Sequence, residues 1–142
     1  MSRTDFKERM QNSDILIGVS APPNSTKSQM EDILGKDDYA FINTDSQHSA
    51  FNEETLVQFC NYADELDIPV QFRIKHTFNT YLIGNILDLG PAGIEIPQVE
   101  EPETVDEVPA REVSTLLEPG TVKDDNAPIA EDAATDNSDT SG

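Results

Sequence analysis

Residues 52–74, NEETLVQFCNYADELDIPVQFRI, contain the clearest helix-to-strand unit of this sequence. An Asn followed by two Glu residues is a typical helix start, because the Asn side chain caps free amides and the acids suit the helix dipole. An apolar stripe follows at helical spacing, made of Leu56, Phe59, Cys60, Ala63 and Leu66. The apolar run at 68–74 then predicts a buried strand.

The same alternation extends in both directions from this unit. We predict strands at 15–19, 39–42, 68–74 and 93–97, and helices at 5–11, 25–34, 52–66 and 78–88, with Ser25 capping the second helix. The continuous apolar run ILIGV at 15–19 is typical of a strand that is buried on both faces. Alternating strands and helices indicate parallel strands with right-handed crossovers. Four such units are half of an eightfold barrel, which usually takes about 250 residues.

The predicted fold class is therefore α/β, a partial TIM-type (β/α) barrel of about four parallel strand–helix units in residues 1–105. Residues 106–142 are predicted to be an acidic, largely disordered tail, because proline recurs there and no Phe or Tyr follows Tyr81. A helix between Glu103 and Leu117 is an open alternative, which Pro109 in its middle disfavours. The charge follows this division: residues 1–97 hold 15 acids and 7 bases, and residues 98–142 hold 13 acids and 2 bases.

Several classes of protein are excluded by the composition. A net charge of −19 repels phosphate backbones, so we expect no nucleic-acid partner. No apolar run approaches the roughly 20 residues that cross a bilayer, and the start of the chain is charged, so we expect no membrane partner and a cytoplasmic location. The single Cys60 excludes an intrachain disulfide and a Cys-rich zinc site.

Polar side chains follow the predicted strands at the points where they end. They are Asn43, Asp45, Gln47 and His48 after the second strand, Arg73 at the end of the third, and Gln98 and Glu100 after the fourth. Parallel α/β folds collect their functional groups at this edge of the sheet. A His with a carboxylate can act as a base, an Arg can hold a carboxylate in a fork, and Glu or Gln oxygens can bind a divalent cation.

Several segments resemble, in the same order, motifs of the HpcH/HpaI aldolases, a family that also includes relatives of the citrate lyase β chain. FKER at 6–9 and LIGV at 16–19 resemble the family's opening segment. DSQH at 45–48 is similar to its D-x-E-H, and PVQFR at 69–73 to its P.V.R segment. LDLGPAGI at 87–94 and IPQV at 96–99 resemble its LDLGA.GI and VPMV segments. The resemblance covers roughly residues 5–105.

The resemblance implies a TIM-type barrel and a reversible, metal-dependent aldol cleavage of 4-hydroxy-2-oxo acids to pyruvate, or a related 2-oxo acid, and an aldehyde. It implies proton transfer by His48 with Asp88 as its partner, and binding of substrate oxygens by Arg73. The implied cofactor is Mg²⁺ or Mn²⁺, which would hold the 2-oxo acid and stabilise its enolate. The family takes its metal-binding Glu and Asp from the second half of the barrel, so no metal ligand is assigned in this sequence. Gln47 stands where the family usually has Glu.

We therefore expect a shortened member of this carbon–carbon lyase family, with a small 2-oxo acid as its substrate and little or no activity as a lone chain. The alternative function is a non-catalytic binding or assembly module, in which a half barrel covers its strand edges with a second copy or with a subunit that supplies the missing half. A truncated or frameshifted gene product is the third alternative.

Overall fold

A computed structural model of the chain describes residues 3–106 and 114–119. Its elements are, in chain order, α1 (Arg3–Gln11), β1 (Gly18–Ser20), α2 (Lys27–Leu34), β2 (Phe41–Asp45), α3 (Glu53–Glu65), β3 (Val70–Arg73), a 3-10 helix (Thr77–Leu82), α4 (Ile83–Leu87), β4 (Gly93–Val99), α5 (Pro102–Asp106) and β5 (Ser114–Pro119). The strands form one parallel sheet in the order β1-β2-β3-β4-β5. This confirms the predicted α/β class, with a fifth strand in addition to the four predicted ones.

Side chains cap the starts of α2 and α3. Asn52 accepts a hydrogen bond from the Thr55 amide at 2.8 Å, as the sequence predicts for the start of α3. The cap of α2 is Thr26, one residue later than the predicted Ser25. Thr26 and Gln29 form a reciprocal capping box, whereas the Ser25 hydroxyl donates to the carbonyl of Pro22 at 2.7 Å. The prediction of Ser25 as the cap was therefore wrong by one residue.

The two faces of the sheet differ in polarity because successive side chains of a strand point to opposite faces. Ile42, Val70, Phe72 and Ile94 are buried and join the buried residues of α3 in one apolar core. The register pairs Ile42 with Val70, and Phe72 with Ile94, which keeps these residues on one face. The residues between them, which include Gln71 and Arg73, consequently lie on the opposite, polar face.

The first strand differs from its prediction. The chain is paired only over Gly18–Ser20, and within the described residues β1 has β2 as its one neighbour. Ile15 is 88% exposed and Ile17 is 63% exposed, so the prediction of a strand buried on both faces was wrong. The physical reason is the position of this segment at the edge of the sheet, where the neighbour that would cover it is not among the described residues.

The later elements refine the sequence-based boundaries. The helix predicted at 78–88 is a 3-10 helix followed by the short α4, and β4 extends to Val99. The helix considered between Glu103 and Leu117 is replaced by α5 and by β5, which pairs with β4. The strand β5 thus lies within the segment predicted as a disordered tail, and the rest of that predicted tail is outside the described residues. No helix of the described residues is long and apolar enough to cross a membrane.

The helix α1 lies against the start of the polar face. Phe6 is fully buried, and its ring centroid is 5.5 Å from that of Phe41 in β2. Gly18 is the register partner of Phe41, and a Cβ atom added at Gly18 would overlap the Phe41 ring. The absence of a side chain at Gly18 therefore leaves the room that the Phe41 ring fills.

We expect Gly18→Ala to lower the free energy of unfolding by about 1–3 kcal/mol, because the added methyl group must displace a packed ring. Gly84 in α4 is the matched control, since an added Cβ there meets nothing within 4 Å. Gly84→Ala should raise stability by about 0.5–1 kcal/mol through helix propensity. Urea unfolding followed by circular dichroism measures both changes. Equal effects of the two substitutions would show that Phe41 does not constrain Gly18.

Candidate functional site

Three charged side chains lie at the same level on adjacent strands of the polar face. The register pairs Asp45 of β2 with Arg73 of β3, and Arg73 with Glu95 of β4. Asp45 and Arg73 are the last residues of their strands, so this acid–Arg–acid row lies at the carboxyl edge of the sheet. The same edge of parallel sheets holds the functional groups of most α/β enzymes.

Arg73 and Asp45 form a two-bonded ion pair. The Arg73 Nε donates to Asp45 Oδ1 at 3.0 Å, and its Nη2 donates to Asp45 Oδ2 at 2.9 Å. Their side chains are only 21% and 18% exposed. A planar fork of this kind fixes the orientation of both groups, and its partial burial limits screening by salt.

The ionisation of Asp45 is set by competing effects. Burial alone would raise the pKa of this carboxyl group, but the hydrogen bond from Arg73 opposes it, together with those from the Gln47 amide and His48. The result is a pKa of about 2, below the ordinary value of 3.8. Asp45 is therefore an anion at neutral pH and can only accept hydrogen bonds.

His48 is oriented by this carboxylate. Its Nδ1 lies 3.1 Å from Asp45 Oδ2 and 3.3 Å from Arg73 Nη2. Because the ionised Asp45 only accepts hydrogen bonds and is the nearer group, the tautomer that fits this contact has its hydrogen on Nδ1 and donates a hydrogen bond to Asp45 Oδ2. The other ring nitrogen, Nε2, then holds the lone pair of a base, on a side chain that is 68% exposed. The Asp45–His48 pair can consequently accept a proton from a bound molecule.

The loop after β2 is held in place by the ends of the neighbouring strands. Both the amide and the hydroxyl of Ser46 donate to the carbonyl of Arg73, at 3.1 and 2.8 Å. The Gln47 amide donates to Asp45 Oδ1 at 2.7 Å, and its side chain donates to the Gln98 side chain at 3.3 Å. Gln98 has a φ of 53° where the pairing of β4 with β5 shifts register. This irregularity brings the end of β4 to the His48 loop.

Glu95 and Gln71 are the residues of this site that the sequence interpretation missed. Glu95 is 7% exposed and Gln71 is 2% exposed, which is unusual for these residue types. The Gln71 Nε2 donates to one Glu95 oxygen at 3.4 Å, and the other oxygen lies 3.7 Å from Arg73 Nη1. The spacing of two residues between Gln71 and Arg73 is a signal in the sequence that places both on one face of β3. Glu95 is the register partner of Arg73, and the sequence does not reveal this pairing.

The predicted site residues separate into two places. His48 and Arg73 lie next to each other, with 3.3 Å between His48 Nδ1 and Arg73 Nη2. Asp88 instead ends α4, on the connection that leads into the start of β4, and it is exposed. The start of β4 and the end of β2 lie at opposite edges of a parallel sheet. The structure therefore does not bring Asp88 to His48, and the carboxylate partner of His48 is Asp45.

The described residues do not provide a site for the implied divalent cation. Among them, no three His, Cys, Asp or Glu side chains are arranged to hold a metal ion. Asp45 and Glu95 both face Arg73, so the position between these two carboxylates is taken by a guanidinium group. A groove of about 270 Å³ between the loops after β3 and β4 contains Gln98 and Glu100, but neither His48 nor Arg73 lines it.

Comparison with solved structures supports the resemblance seen in the sequence. A citrate synthase named SbnG matches with 29% identity and a TM-score of 0.60, covering 72% of this chain and 40% of its own. Macrophomate synthase matches with 27% identity and a TM-score of 0.51, covering 74% of this chain and 36% of its own. An HpcH/HpaI aldolase from Desulfitobacterium hafniense DCB-2 matches with 20% identity and a TM-score of 0.58, covering 71% of this chain and 38% of its own.

These matches confirm the predicted resemblance to HpcH/HpaI-type proteins and the barrel-type fold. The match at 20% identity supports the fold alone. The chain spans about 40% of the length of the citrate synthase. No protein-family model and no curated protein matches the chain.

The Asp45 carboxylate makes a pH-dependent contribution to stability. Its pKa is lower in the folded state, so the stabilisation of about 2 kcal/mol is present above the unfolded-state pKa near 4 and is lost as the pH falls to about 2. We expect the difference in unfolding free energy between the native protein and Asp45→Asn to shrink by about this amount from pH 5 to pH 2. Urea unfolding at several pH values measures it. Asp88→Asn is the control, and a pH-independent difference for Asp45→Asn would contradict the assignment.

Proposed function

We propose that this chain carries the proton-transfer and anion-binding groups of a carbon–carbon lyase site for 2-oxo acids. One observation carries the proposal: at the carboxyl edge of the sheet, His48 Nδ1 lies 3.1 Å from Asp45 Oδ2 and 3.3 Å from Arg73 Nη2. The similarity to a citrate synthase, to macrophomate synthase and to the fold of an HpcH/HpaI aldolase is the second support.

The geometry suits two steps of an aldol cleavage. The substrate carboxylate pairs with Arg73, which leaves the 4-hydroxyl group of the substrate near His48. His48 Nε2 accepts the hydroxyl proton, the bond between C3 and C4 breaks, and the aldehyde leaves while the electron pair forms the enolate of the 2-oxo acid. The protonated His48 then returns the proton to C3, which gives pyruvate when the substrate is a 4-hydroxy derivative of pyruvate. Asp45 stabilises the imidazolium that forms between these steps.

In the related aldolases a divalent cation stabilises the enolate, and the described residues hold no group for it. Within the site formed by the described residues, Arg73 would then have to oppose the enolate's negative charge through its hydrogen bonds. We therefore expect proton transfer to be measurable in the chain alone, whereas complete cleavage of a 4-hydroxy-2-oxo acid should be slow with added Mg²⁺ or Mn²⁺. Fast, metal-stimulated release of pyruvate that is lost in His48→Ala would show that the chain completes its own metal site.

Exchange of the pyruvate methyl protons with D₂O tests the role of His48 directly, because exchange requires the removal of a C3 proton. We expect the protein to accelerate exchange and His48→Ala to reduce this acceleration by a factor of about 10²–10³, the usual contribution of a general base. Proton NMR of the pyruvate methyl signal measures the rate.

The other histidine of the chain provides the matched control. His76 caps the 3-10 helix by accepting from the Phe78 amide at 3.2 Å, and Asn can replace it as a cap. His76→Asn removes one imidazole and should leave the exchange rate unchanged. An equal loss in both variants, or no loss in His48→Ala, would contradict proton transfer by His48.

The edge of the sheet favours assembly as a second candidate function. Ile15 and Ile17 are large apolar side chains that are 88% and 63% exposed beside β1, whose one strand neighbour in the described part is β2. A second copy or another subunit placed against this edge would cover them and continue the sheet.

We expect the double substitution Ile15→Lys, Ile17→Lys to weaken self-association at least tenfold, because assembly would bury two charges. Size-exclusion chromatography with light scattering measures the molar mass over a range of concentrations. Phe78→Lys is the control, since Phe78 is 81% exposed but lies after β3 rather than at the β1 edge. A protein that is monomeric at all concentrations would exclude pairing between copies.

A further inference from the structure

Arg73 is held between two carboxylates rather than facing one. Asp45 and Glu95 are its register partners on the two neighbouring strands, so they approach the guanidinium group from opposite sides. With both carboxylates ionised, the row of three side chains has a net charge of −1. The positive charge of Arg73 is therefore already compensated by protein carboxylates before any anionic ligand binds.

The two carboxylates hold Arg73 unequally. Asp45 makes two hydrogen bonds at 3.0 and 2.9 Å, whereas the nearest oxygen of Glu95 lies 3.7 Å from Nη1, beyond good hydrogen-bond length. The other oxygen of Glu95 accepts from Gln71 at 3.4 Å, and both residues are buried. Glu95 therefore lies on the Nη1 side of Arg73, at a longer distance from the guanidinium group than Asp45.

We propose that Glu95 competes with the carboxylate of a bound 2-oxo acid for Arg73 and thereby sets the affinity and charge selectivity of the site. This inference rests on the function proposed above. A ligand carboxylate that pairs with Arg73 from the Nη1 side must approach Glu95, and the two negative charges repel each other. The repulsion acts in a partly buried place, where it is much stronger than in water. It grows with the charge of the ligand, so the native site disfavours dianions more than monoanions.

The substitution Glu95→Gln tests this competition, because it removes the charge while keeping a side chain of the same shape that can still accept from Gln71 or Arg73. We expect pyruvate, a monoanion, to bind the variant about tenfold more tightly than the native protein. Oxalate, a dianion, should gain affinity by a larger factor than pyruvate. Isothermal titration calorimetry and NMR titration at constant ionic strength measure both dissociation constants.

The control is Glu101→Gln, which causes the same change in net charge at an exposed position after β4. We expect both ligands to bind it within twofold of the native protein. An equal gain in Glu101→Gln would assign the effect to the overall charge. Unchanged or weaker binding in Glu95→Gln, or a gain that is the same for pyruvate and oxalate, would overturn the inference, and so would the absence of binding by every variant.

Further measurements distinguish a folding defect of the variant from a change in ligand binding. Circular dichroism and thermal unfolding establish whether Glu95→Gln is folded, and if it is not, Glu95→Met tests the same loss of charge with an apolar side chain of similar length. The binding experiments need no turnover. If exchange of the pyruvate methyl protons is independent of His48 while Glu95→Gln still gains affinity, the proposed proton transfer fails and the competition by Glu95 stands.

Discussion

The register of the three central strands is the constraint on which the candidate site depends. Side chains alternate between the faces of a strand, so the pairing of Asp45 with Arg73 and of Arg73 with Glu95 places these three residues on one face at one level. The same register places Phe72 and Ile94 on the opposite face, within the core that packs on α3. A shift by one residue would bury the charges in that core and expose the apolar side chains. The apolar core and the charged row therefore enforce the same register.

The charged row is held together by hydrogen bonds that outweigh the cost of burial. Burial works against an ionised Asp45, yet its pKa falls to about 2 because Arg73, the Gln47 amide and His48 all surround it. The backbone takes part in this arrangement, since the Arg73 carbonyl accepts two hydrogen bonds from Ser46. The loop that carries His48 is thus tied to the strand that carries Arg73. The orientation of the base follows from contacts that also hold the sheet edge together.

Whether a feature of this fold can be predicted from the sequence depends on whether it is formed by residues close together along the chain or far apart. The start of α3 and the apolar stripe along it are local patterns, and the structure contains them. The cap of α2 is ambiguous because Ser25 and Thr26 are adjacent hydroxyl residues, and only the pairing of Thr26 with Gln29 separates them. The exposure of Ile15 could not be predicted, because an apolar run does not reveal whether its strand is central or at an edge.

The same limit applies to the prediction of the site residues. His48 and Arg73 are recognisable because each follows or ends a strand inside a motif. Glu95 lies in an apolar run, GIEIP at 93–97, where one acid looks like an ordinary strand residue. Its role depends on which residue faces it across β3, and that register is a property of the fold. Asp88 is the converse case, since similarity to a motif assigned it to the site, whereas within this chain it ends α4 on the connection to the start of β4.

The pairing of Arg73 with two carboxylates affects how strongly it could stabilise the negative charge of a transition state. Electrostatic catalysis depends on charges that interact more strongly with the transition state than with the ground state. A guanidinium group between two carboxylates stabilises the resting fold, and part of its field is cancelled before any ligand arrives. The enolate of a 2-oxo acid would therefore meet a weaker positive potential than Arg73 alone would provide. Under the proposed function, the carboxylates of Asp45 and Glu95 that pair with Arg73 would also limit how strongly Arg73 stabilises developing negative charge.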